Sequence, residues 1–235
     1  MACFVSFDNV RWRVMPYSIG VEIGSDFADA PESDAKIEGS PRWQHENVGF
    51  WTRGEARLLQ QIAAEFPGEW LEIGAHTGWT ATQLIKGGAR VVSIDTMFND
   101  RQFYRRFAEN MGVQLAAGQV MPWAGLSNDF FRCSILKDFS GVLIDGDHDE
   151  PNPENDARKA LPRLKERGCI VLHDFRGPGP FAAGKFLFDQ GLKMQVYPSV
   201  HMVAVFWRGD FDLPPQISEG ETDWAAHYGL PEWAK

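Results

Sequence analysis

The sequence predicts an α/β fold: a doubly wound, mostly parallel seven-stranded sheet with a C-terminal antiparallel hairpin. Three observations predict it. Short apolar runs alternate with amphipathic segments from residue 52 onward, the pattern of strands joined by crossover helices. The run Trp70–Ile73 passes into a glycine-containing turn and then a helix-compatible segment, Trp79–Ile85, the first unit of a Rossmann-like nucleotide-binding sheet. The last two apolar runs, Lys193–Tyr197 and Met202–Trp207, are separated by a short turn at Ser199–His201 and read as a hairpin.

Residues 1–51 form an N-terminal extension. Phe4–Phe7 and Trp12–Val21 suit short strands, and the acidic, small-residue stretch Asp26–Pro41 suits a loop. Trp43, His45, Phe50 and Trp51 follow; the segment either packs its aromatics on the core or closes over a site as a lid. The principal domain spans residues 52–209. Thr52–Phe66 is a helix opened by a capping box, Thr52 with Glu55, and carrying Leu59, Ile62, Ala63 and Phe66 on its buried stripe. Pro67–Gly68 ends it.

Arg90–Ile94 is the second strand, closed by Asp95, and Asp100–Met111 is a helix with Phe103, Phe107 and Met111 inward. Val113–Val120 is expected as the third strand, Pro122–Asn128 as a loop and Asp129–Leu136 as a short helix. Gly141–Ile144 is the fourth strand and runs into Asp145-Gly-Asp-His148. Asn152 caps the next helix, with Pro153 at its first position and Ala157, Ala160, Leu161 and Leu164 along its stripe. Gly168 ends that helix, and Cys169–Leu172 is the fifth strand, stopping at His173–Asp174. Phe181–Gln190 is the last helix, closed by Gly191. The tail, residues 210–235, is Pro-rich and polar with Trp224, Tyr228 and Trp233, and packs on the surface or on a second subunit of a homo-oligomer.

Composition narrows the function. A chain of 235 residues that is 44% hydrophobic suits one domain with short additions. A net charge of −9 without a long basic run argues against nucleic acid as a partner. Three scattered cysteines suggest neither disulfides nor a cysteine zinc site. With no basic leader, no long apolar run and a reducing compartment as the simplest setting, the expectation is a cytoplasmic protein that engages no membrane.

In an open parallel sheet, ligands bind beyond the carboxyl ends of the strands. Four strands deliver chemistry to that edge: Glu72 with Gly74–Gly78, Asp95, Asp145–His148, and His173–Asp174. Glycines at 74 and 78 let the chain turn sharply and let a ligand approach the backbone. A carboxylate at the end of the second strand, Asp95, can accept both hydroxyls of a ribose. His148 and His173 are candidate general bases, since an imidazole titrates near neutral pH.

The spacing Glu72-x-Gly74-x-x-x-Gly78 resembles the first motif of class I S-adenosylmethionine (SAM) dependent methyltransferases. The run GVLIDGDHDEPNPENDARKALPRLKERGCIVLHDF, with Asp156 on its helix and Gly168 at its turn, resembles the DGDH-motif family that includes macrocin-type O-methyltransferases and cephalosporin-hydroxylase-like proteins. The likeness covers roughly residues 52–207. It implies SAM held by Glu72, Gly74, Ala75, His76, Thr77, Gly78, Asp95 and Asp145. It implies Asp145 and Asp147 at the sulfonium end, with Asp147, His148 and His173 as the catalytic candidates and a small-molecule methyl acceptor. Some members bind magnesium through the first Asp of the motif and an acidic pair after the fifth strand. Here that pair reads His173–Asp174, leaving Asp145 and Asp174 as ligands for magnesium, for a softer divalent cation, or for none. Two other classes stand beside this reading: a dinucleotide-dependent oxidoreductase, opposed by the missing G-x-G-x-x-G, and a non-catalytic SAM-binding protein, opposed by the intact Asp145, Asp147 and Asp174.

Overall fold

The computed structural model describes residues 51–199, 201–215 and 233. The expectations for residues 1–50, including the lid, and for Trp224 and Tyr228 lie outside the described residues.

Helix α1 (Arg53–Glu65) starts at Thr52, and both halves of the capping box form: Glu55 N–H donates to Thr52 Oγ1 and Thr52 N–H to Glu55 Oε2. There follow β1 (Gly68–Ile73), α2 (Trp79–Lys86) and β2 (Ala89–Asp95). A 3-10 turn (Thr96–Asn99) leads to α3 (Arg101–Asn110), whose N-cap is Asp100. The chain continues through α4 (Gly112–Ala116), β3 (Val120–Ala124), α5 (Ser127–Cys133) and β4 (Phe139–Ile144). Then come α6 (Asn152–Ala160), β5 (Leu164–Leu172), α7 (Pro178–Asp189), β6 (Lys193–Tyr197) and β7 (Val203–Trp207).

The seven strands form one sheet in the order β3-β2-β1-β4-β5-β7-β6. The pairs from β3 to β5 are parallel; β7 is antiparallel to both β5 and β6. Strand periodicity splits the core into two layers, since successive side chains leave opposite faces. Trp70, Val91, Leu143 and Val171 pack with α1–α3 on one face. Leu71, Val92, Val142 and Ile170 pack with α5–α7 on the other. Trp233, from the tail, covers Phe181 and Phe188 of α7.

Several boundaries differ from the sequence expectation: the loop expected at Pro122–Asn128 is taken up by β3 and the start of α5, α5 is Ser127–Cys133 where Asp129–Leu136 was expected, and α7 begins at Pro178 where Phe181 was expected. The third strand is not Val113–Val120: that stretch gives α4 and a turn, and pairing begins at Val120. Pro122 lies within this strand because β3 is an edge, where a missing N–H interrupts no ladder. The helix expected to reach Gly168 stops at Ala160, where Pro162 interrupts it in a 3-10 turn, so Leu164 and Gly168 belong to β5. The N-cap of α6 is Pro151, and the Asn152 side chain instead donates to Asp147 Oδ2 at 2.8 Å. Among the described residues, no helix is long and apolar enough to cross a membrane.

Candidate active site

The carboxyl ends of β1, β2, β4 and β5 open on a cavity of ≈ 820 Å³. Its lining includes Gly74–His76, Asp95, Asp145–His148 and Asp174, together with Met97, Leu126, Ser127 and Asp156. Most of the expected edge residues are therefore gathered into one space, with Trp51 and His201 added; Glu72, Thr77, Gly78 and His173 are not in its lining.

The turn after β1 is fixed from several sides. Gly74 and Ala75 N–H both donate to Ile94 O, and Asp145 N–H donates to Ile73 O at 2.9 Å. Gly74 has φ +93, and a Cβ there would lie 2.1 Å from the Asp145 carbonyl oxygen. Gly78 has φ +94, and a Cβ there would meet the Met111 side chain at 2.7 Å. Both glycines thus make room for protein: the first lets the turn close on the β4 loop, the second lets α3 dock. Gly74→Ala is expected to cost roughly 1–3 kcal/mol through overpacking and to displace the Asp145 loop. A chemical denaturation midpoint equal to that of the parent protein would contradict this account of the turn.

Glu72 and Thr77 are buried beneath the turn and do not line the cavity. Glu72 accepts hydrogen bonds from Thr80 Oγ1 and from Ser93 Oγ, the latter at 2.6 Å. Burial pushes its carboxyl pKa up to about 7 against those bonds. Glu72 therefore ties β1 to β2 and α2 under the glycines. Asp95 accepts His76 N–H on Oδ2 and Met97 N–H on Oδ1, each at 2.7 Å. The two bonds aim its carboxylate across the mouth of the cavity. Asp147 is exposed and accepts Asp149 N–H and Asn152 Nδ2, so its oxygens organise the β4–α6 loop. Asp156 is buried, accepts the Ser127 hydroxyl at 2.5 Å, and is pushed by burial to a pKa of about 6.

At the floor of the cavity lies an ion-pair cluster that joins the expected Asp145, His173 and Asp174 to Glu55, Trp51 and His201. His173 is 1% exposed. Its Nδ1 lies 3.0 Å from Asp145 Oδ1 and 3.1 Å from Asp174 Oδ2, while Nε2 is 3.5 Å from Glu55 Oε2. The Trp51 ring stacks on it, 4.2 Å between centroids and 14° from parallel, and Trp51 Nε1 donates to Asp145 Oδ2 at 2.7 Å. Glu55, fully buried, also accepts Ser199 Oγ at 2.6 Å and the backbone N–H and Nδ1 of His201, each at 3.0 Å. Burial alone would lower the His173 pKa; the charge of Asp145 and contacts with Asp145, Asp174 and Glu55 carry it well above the ordinary histidine value. Burial would likewise raise Asp145 and Glu55, but their histidine partners hold both far below the usual carboxylate range.

His148 stands above this cluster with its side chain 43% exposed. Its Nε2 is 3.6 Å from Asp145 Oδ1 and 3.7 Å from Asp174 Oδ2. Contact with Asp145 raises its pKa, burial opposing. The arrangement offers an open imidazole facing the cavity, and below it a sealed one fastened to carboxylates.

Sequence reading left Glu55 and His201 outside the site and offered Trp51 only as part of an extension that packs on the core or closes over a site. Glu55 already had a role in the capping box, and His201 sat in an ordinary turn 146 residues away. No local signal joins them to His173.

Residues 71–175 match the family model described as a methyltransferase domain. No curated protein matches the chain. Among solved structures, the chain is similar to an O-methyltransferase from Bacillus cereus in complex with SAH, at 14% identity and TM-score 0.56, over 67% of this chain and 82% of that one. It is also similar to a methyltransferase from Geobacter sulfurreducens, at 16% identity and TM-score 0.58, over 72% and 86%. The fold is the one these proteins share.

Proposed function

We propose that this chain is a SAM-dependent methyltransferase that methylates an oxygen of a small-molecule acceptor, working in the cytoplasm. The observation that carries the reading is the convergence of the Gly74–His76 turn, Asp95 and Asp145 on one cavity at the carboxyl edge of the sheet, inside the segment that matches a methyltransferase domain. The donor set fits the cofactor. Each Asp95 oxygen accepts one backbone N–H and keeps a lone pair for a ribose hydroxyl. Met97 and Leu126 give apolar wall suited to a base, and the backbone of Gly74–His76 would face the amino-acid end.

SAM supplies an electrophilic methyl group on a sulfonium. The chain's own residues then align the acceptor, exclude water and take its proton. His148 is the residue proposed for the proton, because it faces the cavity and remains open to it, whereas His173 is sealed below. Asp145 and Asp174 sustain the positive charge that His148 gains. Asp147 supports the reading through its loop, which carries His148.

A divalent ion, raised by the resemblance, would be held by Asp145 and Asp174 together with His148, whose ligand atoms lie within 4.8 Å of one another, and would compete with contacts those carboxylates already make. The facing oxygens of both carboxylates are already directed at His173 Nδ1, and the other Asp145 oxygen is taken by Trp51.

Cofactor binding tests the proposal. SAM and its demethylated product SAH are expected to raise the melting temperature, since a ligand that binds only the native state stabilises it. Asp95→Ala should weaken the binding by roughly 1–3 kcal/mol, through loss of charged hydrogen bonds to the ribose. A folded protein whose melting temperature responds to neither ligand would overturn the assignment.

A further inference from the structure

His173 turns its two ring nitrogens to different partners. Nδ1 lies 3.0 Å from Asp145 Oδ1 and 3.1 Å from Asp174 Oδ2, so a hydrogen on that nitrogen has a carboxylate to accept it. Nε2 points the other way, toward Glu55 Oε2 at 3.5 Å, and among the described residues it is buried without a hydrogen-bond partner. A buried polar atom without a partner is costly, and an ion is one of the few groups that can satisfy it.

Glu55 Oε2 also faces His201 Nδ1, at 3.0 Å. The ligand atoms of Glu55, His173 and His201 all lie within 4.8 Å of one another. Zinc binds imidazole nitrogen and carboxylate oxygen at about 2.0–2.2 Å, which sets neighbouring ligands of a tetrahedral ion about 3.4 Å apart. The distances of 3.0 and 3.5 Å bracket that spacing. The surrounding bonds are those a ligand set needs. A histidine that ligates through one nitrogen gives its other N–H to a carboxylate, here Asp145 or Asp174, and a ligating carboxylate is itself hydrogen-bonded. Glu55 Oε1 accepts the Ser199 hydroxyl at 2.6 Å and the His201 backbone N–H at 3.0 Å. Oε2 takes the Thr52 N–H of the helix cap and faces both imidazoles. Two imidazoles in the set favour zinc over magnesium or calcium, which take oxygen ligands.

We propose that Glu55, His173 and His201 form a zinc site at the floor of the cavity, with the ion on Glu55 Oε2, His173 Nε2 and His201 Nδ1. The site is distinct from the Asp145–His148–Asp174 set, which meets His173 at its other nitrogen. It goes beyond the methyltransferase reading and does not depend on it. Its role is structural: the ion fastens α1 and the β6–β7 turn to the end of β5. The Trp51 ring, stacked on His173 at 4.2 Å, holds that ligand in place. Three protein ligands leave the fourth position to water, and His201, which lines the cavity, gives the ion a way in.

The test uses the full-length protein, stripped with chelator, returned to chelator-free buffer and titrated with Zn2+ by calorimetry. The protein loaded with one equivalent is then examined by zinc X-ray absorption. One equivalent is expected to bind with two imidazoles on the metal, and the melting temperature should be higher in zinc than in chelator. His201→Asn and Glu55→Gln, each checked for folding by circular dichroism, should weaken that binding by about 100-fold or more, since even the outer partner of a ligand is worth 10–100-fold. His148→Gln, which touches only the other set, should leave it in place. The absorption spectrum of wild type carries the test if either ligand variant fails to fold. No stoichiometric uptake by wild type would overturn the inference, as would zinc bearing fewer than two imidazoles, which would place the ion on Asp145, His148 and Asp174. A smaller loss in either folded ligand variant, or loss of uptake in His148→Gln, would overturn it equally.

Discussion

His148→Gln lowers methyl transfer by about 10²–10⁴-fold while leaving SAH binding unchanged, if His148 is the group that removes the acceptor's proton. Glutamine keeps the size and a hydrogen-bonding end but cannot take up a proton at neutral pH. The measurement is kcat with the acceptor returned by a methyl-acceptor screen, alongside the thermal shift with SAH. The pH profile separates chemistry from positioning. A base acts in its neutral form, so wild-type kcat should climb as pH rises through the pKa of His148. That pKa is raised by Asp145, with Asp174 adding to it, so the climb should centre above the ordinary histidine value of 6.5. His148→Gln should abolish the climb. A variant with lowered rate and an intact climb would assign His148 to orientation and leave the proton to solvent or to another group.

Glu55→Gln is expected to reduce folding stability by about 3–5 kcal/mol, because it leaves buried histidines without their counter-charge. For a chain of this size that corresponds to a fall in melting temperature of roughly 6–20 °C. Glutamine can still complete the capping box, so the substitution isolates the charge from the cap. The pH dependence has a defined sign. The Glu55 pKa is depressed in the folded state, so its contribution is complete above its ordinary value of 4.5 and is lost as pH falls through the folded value. The His173 pKa is raised, so its contribution is complete below 6.5 and is lost as pH rises through the folded value. The difference in melting temperature between wild type and Glu55→Gln should therefore be greatest between those two limits. A loss below about 1 kcal/mol across that window would mean that the cluster is no stronger than an exposed ion pair.

Both predictions concern groups whose partners are remote in sequence, and that separation marks what could be read from the chain itself. Period-two and helical patterning were enough to place every strand but the third, the hairpin and most helices, because burial on a strand or helix face imposes a spacing that is visible within ten residues. The capping box at Thr52 and Glu55, the Asp95 strand end and the Asp145–His148 loop were legible for the same reason. Where a local signal was ambiguous, tertiary context decided. Val120–Ala124 became a strand despite Pro122 because it lies at the sheet's edge, and Leu164 joined β5 because Pro162 stopped the helix before it. The sequence by itself determined which residues reach the ligand edge, since parallel strands all end there. Only the tertiary structure decided what each does. It set Glu72 beneath the turn instead of in the cavity, it left His148 open, and it closed Glu55, His173 and Trp51 over the carboxylates. The physical reason is that a buried charge is defined by the partners surrounding it, and here those partners come from α1, β4, β5 and the β6–β7 turn, elements that no sequence spacing connects.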